Sequence, residues 1–242
     1  MPEASANASQ PGTTPRRVWT FVRILQLALT QGAWFGVLFA AAGTISWLRG
    51  WICMFATLCL NVSAVVLIGR RNPALIAARA QWRHRDTKPF DKVFVACFVP
   101  LYFAQAVAAG LEVVRLGWSV MAFTTVYLGL ALLASGTALA LWAMLVNPFA
   151  ETTVRIQKDR GQSVVTNGPY HYVRHPIYGG AVLMYPALGL VVGSYWALAI
   201  GGVMALLFVY RTAREDRVLR SELPGYQAYA DVTSYRLVPG VW

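Results

Sequence analysis

The sequence predicts an all-α integral membrane protein of about six transmembrane helices, with the last two forming a short hairpin. Three observations carry this. Of 242 residues, 57% are hydrophobic and only 13% charged, about half the charge of a soluble domain. Apolar runs long enough to cross about 30 Å of hydrocarbon recur along the chain, and mean hydropathy is +0.50. Basic residues gather in the connections between those runs, where they orient helices against anionic headgroups. A soluble globular domain, a disordered chain and a disulfide scaffold are thereby excluded.

The elements follow in order. Residues 1–15 are rich in Ala, Ser, Thr and Pro with no periodic apolar face, so burial cannot offset their ordering entropy and they read as a disordered tail. Arg16 and Arg17 precede an apolar run over about 18–45. That run is too long for the apolar core of an export signal, so it reads as a retained spanning helix. Further spans are expected over about 50–69, 93–114 and 120–146, which makes 16–146 a four-helix membrane part. The remainder, 147–242, is a separate C-terminal region. It holds a polar stretch to Pro176, an apolar region over 177–210 and a polar tail. As one helix, 177–210 would reach about 50 Å, well beyond a bilayer, and Gly193-Ser194 near its middle marks a turn between two helices.

Charge placement supports that split. With the N-terminus inside, 19 of the 21 Lys and Arg fall on the cytoplasmic side, leaving Arg49 and Arg115 outside, a strong positive-inside bias. Both termini are therefore expected in the cytoplasm. Trp47, Trp51 and Trp118 fall at the outer turns, where indole rings favour the headgroup level. The net charge of +11 is explained by this distribution, so no nucleic-acid partner is expected. Cys53, Cys59 and Cys97 have no CxxC spacing and read as small apolar residues, with no metal site implied. No internal repeat is visible, which argues against a transporter built from duplicated halves.

Two polar segments flanking the hairpin are richer in reactive side chains than connectors need. The first, residues 165–180, reads VTNGPYHYVRHPIYGG. Pro169 and Pro176 hold the residues before them extended, and Gly168, Gly179 and Gly180 allow close backbone approach. Tyr170, Tyr172, Arg174, His175 and Tyr178 are displayed just before a helix start, whose free N–H groups suit an anion. On residues alone, the segment is either an interfacial loop anchored to headgroups or a ligand site. The second segment places Arg211 and Glu215 one helical turn apart if the last helix continues past Tyr210. Glu215 and Asp216 are either surface ion-pair partners or the acids that hold a cofactor's amine or ribose hydroxyls. The hairpin would return them beside Arg174 and His175.

The pattern GPYxxVRHPxYxG over 168–180, followed by RxxxEDxxL over 211–219 and GYxxY over 225–229, resembles the isoprenylcysteine carboxyl methyltransferase family. It also resembles the wider group of membrane methyltransferases that includes phospholipid N-methyltransferases. Weaker likenesses lie at Arg71-Asn72-Pro73, Lys88-Pro89, Asp91 and 154–157. The family's usual Glu-Glu is Glu215-Asp216 here, one methylene shorter. The resemblance implies S-adenosylmethionine bound at the cytoplasmic face by Gly168, Tyr170, Val173, His175, Pro176, Tyr178, Gly179, Glu215 and Asp216. It implies Arg211 as the group positioning the acceptor's carboxylate, with Arg174 a second candidate. The implied acceptor is isoprenylcysteine-like or otherwise lipophilic and enters from the lipid bilayer. A carboxylate acceptor is already ionised at neutral pH and needs no general base.

Alternatives stay open at this level. They are N-methylation of a phospholipid, S-methylation of a small thiol, and an NADPH-dependent membrane reductase of the sterol type. A transporter or scaffold is a further one, for which Gln26, Gln31, Asn61 and Gln105 could line a path, although such residues more often join helices by hydrogen bonds. Small residues at Gly129, Ala134 and Gly136 point to close helix packing.

Overall fold

The computed structural model describes residues 16–81 and 84–242; the expected disordered tail over 1–15 lies outside them. The described elements are α1 (Arg16–Ala42), α2 (Leu48–Arg71), α3 (Pro73–Ala80), α4 (Pro89–Ala109), α5 (Thr125–Val146), α6 (Pro176–Val192), α7 (Tyr195–Glu222) and α8 (Tyr226–Val232). Among the described residues, five helices are long and apolar enough to cross a membrane, and α6, at 17 residues, is a shorter apolar helix beside them. The chain is an all-helical, multi-pass membrane protein.

Several boundaries differ from expectation for local reasons. The first helix stops at Ala42 rather than near 45, because Gly43 takes φ +73 and ends it. The run expected over 93–114 starts earlier, at Pro89, where proline suits the first helical turn. It closes in a π-helical turn, Gly110–Arg115. α5 begins at Thr125 rather than 120. The connector after α2 holds α3, which hydropathy did not reveal; its signal is Asn72-Pro73, where the Asn72 side chain accepts from Leu75 N at 3.3 Å.

The expected turn within 177–210 is present. Gly193, at φ +81, caps α6, and Ser194 caps α7 by accepting from Ala197 N at 2.9 Å. Glu112, buried in the π turn, bonds the Ser194 hydroxyl and accepts from Trp196 N at 3.0 Å, so α4 and α7 are tied at this pole. Helix α5 packs closely against α6 through facing glycines. A Cβ on Gly136 would stand 2.6 Å from Gly180 O, and one on Gly180 would stand 2.4 Å from Gly136 O. Small residues here let the backbones touch. Gln105 spans three helices, donating from Nε2 to Tyr185 O and Ala197 O at 2.9 Å each.

The main apolar core, around Trp34, Leu38, Leu133, Ala187 and Val191, lies between α1, α4, α5 and α6. At the opposite pole from Gly193, the segments 72–81, 84–92, 147–176 and 211–242 come together. Lys88 N donates to Val154 O at 3.0 Å, Arg79 Nη1 to Ala150 O at 2.6 Å, and Lys88 Nζ to Glu222 Oε1 at 2.7 Å. This basic pole carries the candidate site.

Candidate active site

Helix α7 runs past Tyr210 to Glu222, so Arg211 and Glu215 sit one turn apart at the basic pole. The segment leading into α6 is held against the C-terminal tail. Arg174 N donates to Tyr235 O at 3.0 Å and His175 N to Arg236 O at 2.9 Å. The Tyr229 hydroxyl donates to Tyr170 O at 2.6 Å. The two polar stretches that flank the hairpin therefore meet in space.

The adjacent acids point to different places. Asp216 is 1% exposed and forms the centre of a support cluster. Its Oδ1 accepts from Arg174 Nε at 2.7 Å and the Tyr226 hydroxyl at 3.1 Å, with His175 Nε2 at 3.4 Å. Its Oδ2 accepts from Arg174 Nη2 at 3.1 Å, Arg220 Nε at 3.1 Å and Arg236 Nε at 3.0 Å. Arg174 spends its remaining reach on Thr233 O and Ser234 O, at 2.6 and 2.9 Å. Burial disfavours the Arg174 charge, but the bonds to Asp216 outweigh that and raise its pKa. Tyr226 is pushed well above the ordinary phenol range, first by burial and then by Asp216. It stays protonated and donates.

Glu215 instead borders a cavity of about 110 Å³. The Tyr178 hydroxyl donates to its Oε2 at 2.5 Å, and the Tyr178 ring stacks on His175 at 5.8 Å. One side of the cavity is apolar, from Val164, Val165, Ile177, Leu219 and Leu223, while Glu151 and Glu215 supply carboxylates. Of the residues expected to hold a cofactor, Tyr170, His175, Tyr178 and Glu215 line this cavity, as does Arg174. Gly168, Val173, Pro176, Gly179 and Asp216 are not in its wall. Gly168 turns at φ +60, Pro176 opens α6, Val173 is buried, and a Cβ on Gly179 would make ordinary contact with Leu237 O at 3.5 Å.

Arg211 lies behind Tyr178, outside the cavity wall. Its guanidinium sits 4.5 Å from the Phe94 ring centroid and 5.1 Å from that of Tyr178. Nη2 donates to Thr152 O at 2.8 Å and stands 2.8 Å from Asp91 Oδ1 as an ion pair rather than a directed hydrogen bond, while Nε has no partner among the described residues. The Asp91 Oδ2 atom accepts from Val154 N at 2.8 Å. The charge of Arg211 is thus already matched, and the pair ties α4 and α7 to the loop over the cavity.

Sequence reasoning missed the loop wall. Glu151 is held by Arg155 Nε at 2.8 Å and Arg160 Nη1 at 3.2 Å, and Arg155 also reaches Asp159 at 2.7 Å. Bonds to Glu151 and Asp159 raise the pKa of Arg155. The available signal was the four-residue spacing of Glu151, Arg155 and Asp159. Tyr226 and Tyr229, which line the cavity, were visible only as a motif without an assigned role. Burial moves Tyr229 up to about 12 and Tyr170 further still, so both phenols are neutral.

Comparison with known proteins places residues 124–223 in a match to the phospholipid methyltransferase family. A curated relative, the cobalt-zinc-cadmium resistance protein CzcN of Cupriavidus metallidurans, is 38% identical over 81 residues, which is 31% of this chain and 35% of that protein. The match therefore spans about a third of the relative's length. A solved structure of the eukaryotic intramembrane Ras methyltransferase ICMT (isoprenylcysteine carboxyl methyltransferase) superposes with TM-score 0.48 at 14% identity, over 93% of this chain and 82% of that one.

Proposed function

We propose that this chain, with a phospholipid methyltransferase match over residues 124–223, is a membrane methyltransferase that uses S-adenosylmethionine. Its proposed acceptor is lipophilic, with carboxyl O-methylation of an isoprenylcysteine-like molecule as the leading reaction. The observation that carries the reading is the division of labour between neighbouring acids: Asp216 is consumed by its support cluster, while Glu215 is presented to the cavity. The cavity's donor set fits the cofactor. Glu215 offers a carboxylate to a cationic group, the apolar wall suits a purine, and the Thr153 hydroxyl is buried at the wall without a partner among the described residues. When bound, the cofactor supplies an electrophilic methyl group.

What the chain's own residues do is orient and exclude. Tyr178 fixes the Glu215 carboxylate by one hydrogen bond. The Asp216 cluster holds Arg174 and His175 through both side chains and backbone, so the cavity edge is set before any ligand arrives. We assign Arg174 to this supporting role. Arg211 keeps its proposed part in acceptor placement, acting from behind the Tyr178 ring with Asp91 as counter-charge. A carboxylate acceptor requires no base. A phospholipid amine is the second reading, favoured by the family matched over 124–223; His175, at the cavity edge, is then the group available to accept a proton.

The basic pole is proposed to face the cytoplasm, on the distribution of Lys and Arg. The test of the function is to supply labelled methyl donor to membranes containing the protein and to identify the labelled product. A labelled lipid or prenylated carboxylate is expected. No labelling, together with tight binding of NADPH, would replace this reading with a reductase.

A further inference from the structure

A second cavity, of about 430 Å³, lies inside the membrane part between α1, α2, α4, α5 and α6. On α1 it runs from Leu27 to Phe35, about 12 Å along the helix axis. Trp34, Phe98 and Tyr102 make it largely apolar, and Arg79 borders it. Arg79 donates to Ala150 O, and Ala150 lines the first cavity, so the two spaces share a structural wall.

Several of the polar groups around this cavity are spent on the protein itself. The Trp34 indole donates to Tyr102 O at 2.7 Å, the Thr57 hydroxyl to Cys53 O at 2.8 Å, and the Thr137 hydroxyl to Leu133 O at 2.8 Å. Gln31 differs. It is 9% exposed, it lines the cavity, and its Oε1 is buried with no hydrogen-bond partner among the described residues. Asn61 lines the same space from α2. The other two glutamines of the membrane part lie outside this lining. Gln26 Nε2 reaches Ala80 O at 3.4 Å, and Gln105 Nε2 bridges helices while its Oε1, like that of Gln31, is buried without a partner among the described residues. A buried amide oxygen without a partner is disfavoured, so leaving Gln31 unmatched in hydrocarbon is expensive unless something completes it.

We propose that this cavity binds a long-chain lipid carrying a hydroxyl group within its chain, and that Gln31 is the specificity-determining residue that receives that hydroxyl. With Oε1 buried, the hydroxyl accepts from Nε2, or donates to Oε1 once the carboxamide is flipped. A plain hydrocarbon tail would fill the same space and leave Gln31 unsatisfied. That such a lipid is the methyl acceptor rests on the methyltransferase reading; the binding itself does not.

The test uses full-length protein in maltoside micelles without methyl donor. A diazirine-bearing stearic acid is crosslinked to it, the labelled peptides are mapped by mass spectrometry, and labelling is competed with stearic acid or a series of monohydroxystearic acids differing in hydroxyl position. Labelling is expected on the α1 segment 27–35 or its facing helices. At least one hydroxylated isomer should compete about tenfold better than stearic acid, the scale of one well-formed hydrogen bond. Gln31→Leu should keep the labelling and reduce that preference below about twofold, and its melting temperature should not fall, because it removes an unmatched polar group. Gln31→Asn should retain part of the preference and checks the result independently of Gln31→Leu. Labelling elsewhere, no preferred isomer, or a preference that survives Gln31→Leu would each overturn the proposal. Since no methyl transfer is measured, failure of the enzymatic reading would leave this result standing.

Discussion

Replacing Asp216 by alanine removes the one carboxylate on which Arg174, Arg220 and Arg236 converge. Arg174 is the decisive partner, because its side chain is 1% exposed and it pairs with no other anion among the described residues. Breaking a buried ion pair from one side costs about 3–5 kcal/mol, since the remaining charge stays desolvated. Arg220 and Arg236 are about a third exposed at the side chain; water takes over their solvation, and each adds at most about 1 kcal/mol. For a chain of this size, a loss of 3–5 kcal/mol lowers the melting temperature by roughly 6–20 °C. Thermal unfolding of the purified protein in detergent should show that drop for Asp216→Ala, with Glu215→Gln melting close to wild type. A shift below about 2 °C for Asp216→Ala, or an equal shift for both variants, would refute the separation of a supporting acid from a cavity-facing one.

The remaining predictions concern packing and the second ion pair. Gly136→Leu should destabilise the protein or abolish its folded yield, because even a Cβ would stand 2.6 Å from Gly180 O; monodispersity on size-exclusion chromatography reads this. Gln105→Leu should lower the melting temperature, by about 1–3 kcal/mol of stability, through loss of its bonds to Tyr185 O and Ala197 O. Arg211→Ala should destabilise more than Arg211→Met combined with Asp91→Asn. The single change strands the buried Asp91 charge, whereas the double change removes both charges and keeps an acceptor for Val154 N. Equal melting of the two would show that the pair is not coupled.

Most of the fold was legible because membrane helices announce themselves by length and apolarity. The Gly193-Ser194 turn could be read because an apolar run of that length has no other way to stay within a bilayer. The short α3 was hidden, since eight residues carry little hydropathy signal and only Asn72-Pro73 marks it. Of the residues singled out in the sequence, Tyr170, His175, Tyr178 and Glu215 line one cavity. Sequence could not separate Glu215 from Asp216, because residues adjacent on a helix point about 100° apart and only packing tells which faces a cavity. Nor could it see that Arg211 is matched by Asp91, more than a hundred residues earlier. The loop wall at Glu151 and Arg155 was missed because its charges resemble those of an ordinary connector.

Titration calorimetry of S-adenosylmethionine into the purified wild-type protein and into Glu215→Gln tests the central claim most directly. The account predicts saturable binding to wild type and at least about tenfold weaker binding to the variant, the loss of a charge-assisted contact, at an unchanged melting temperature. Equal affinity for both proteins would contradict it.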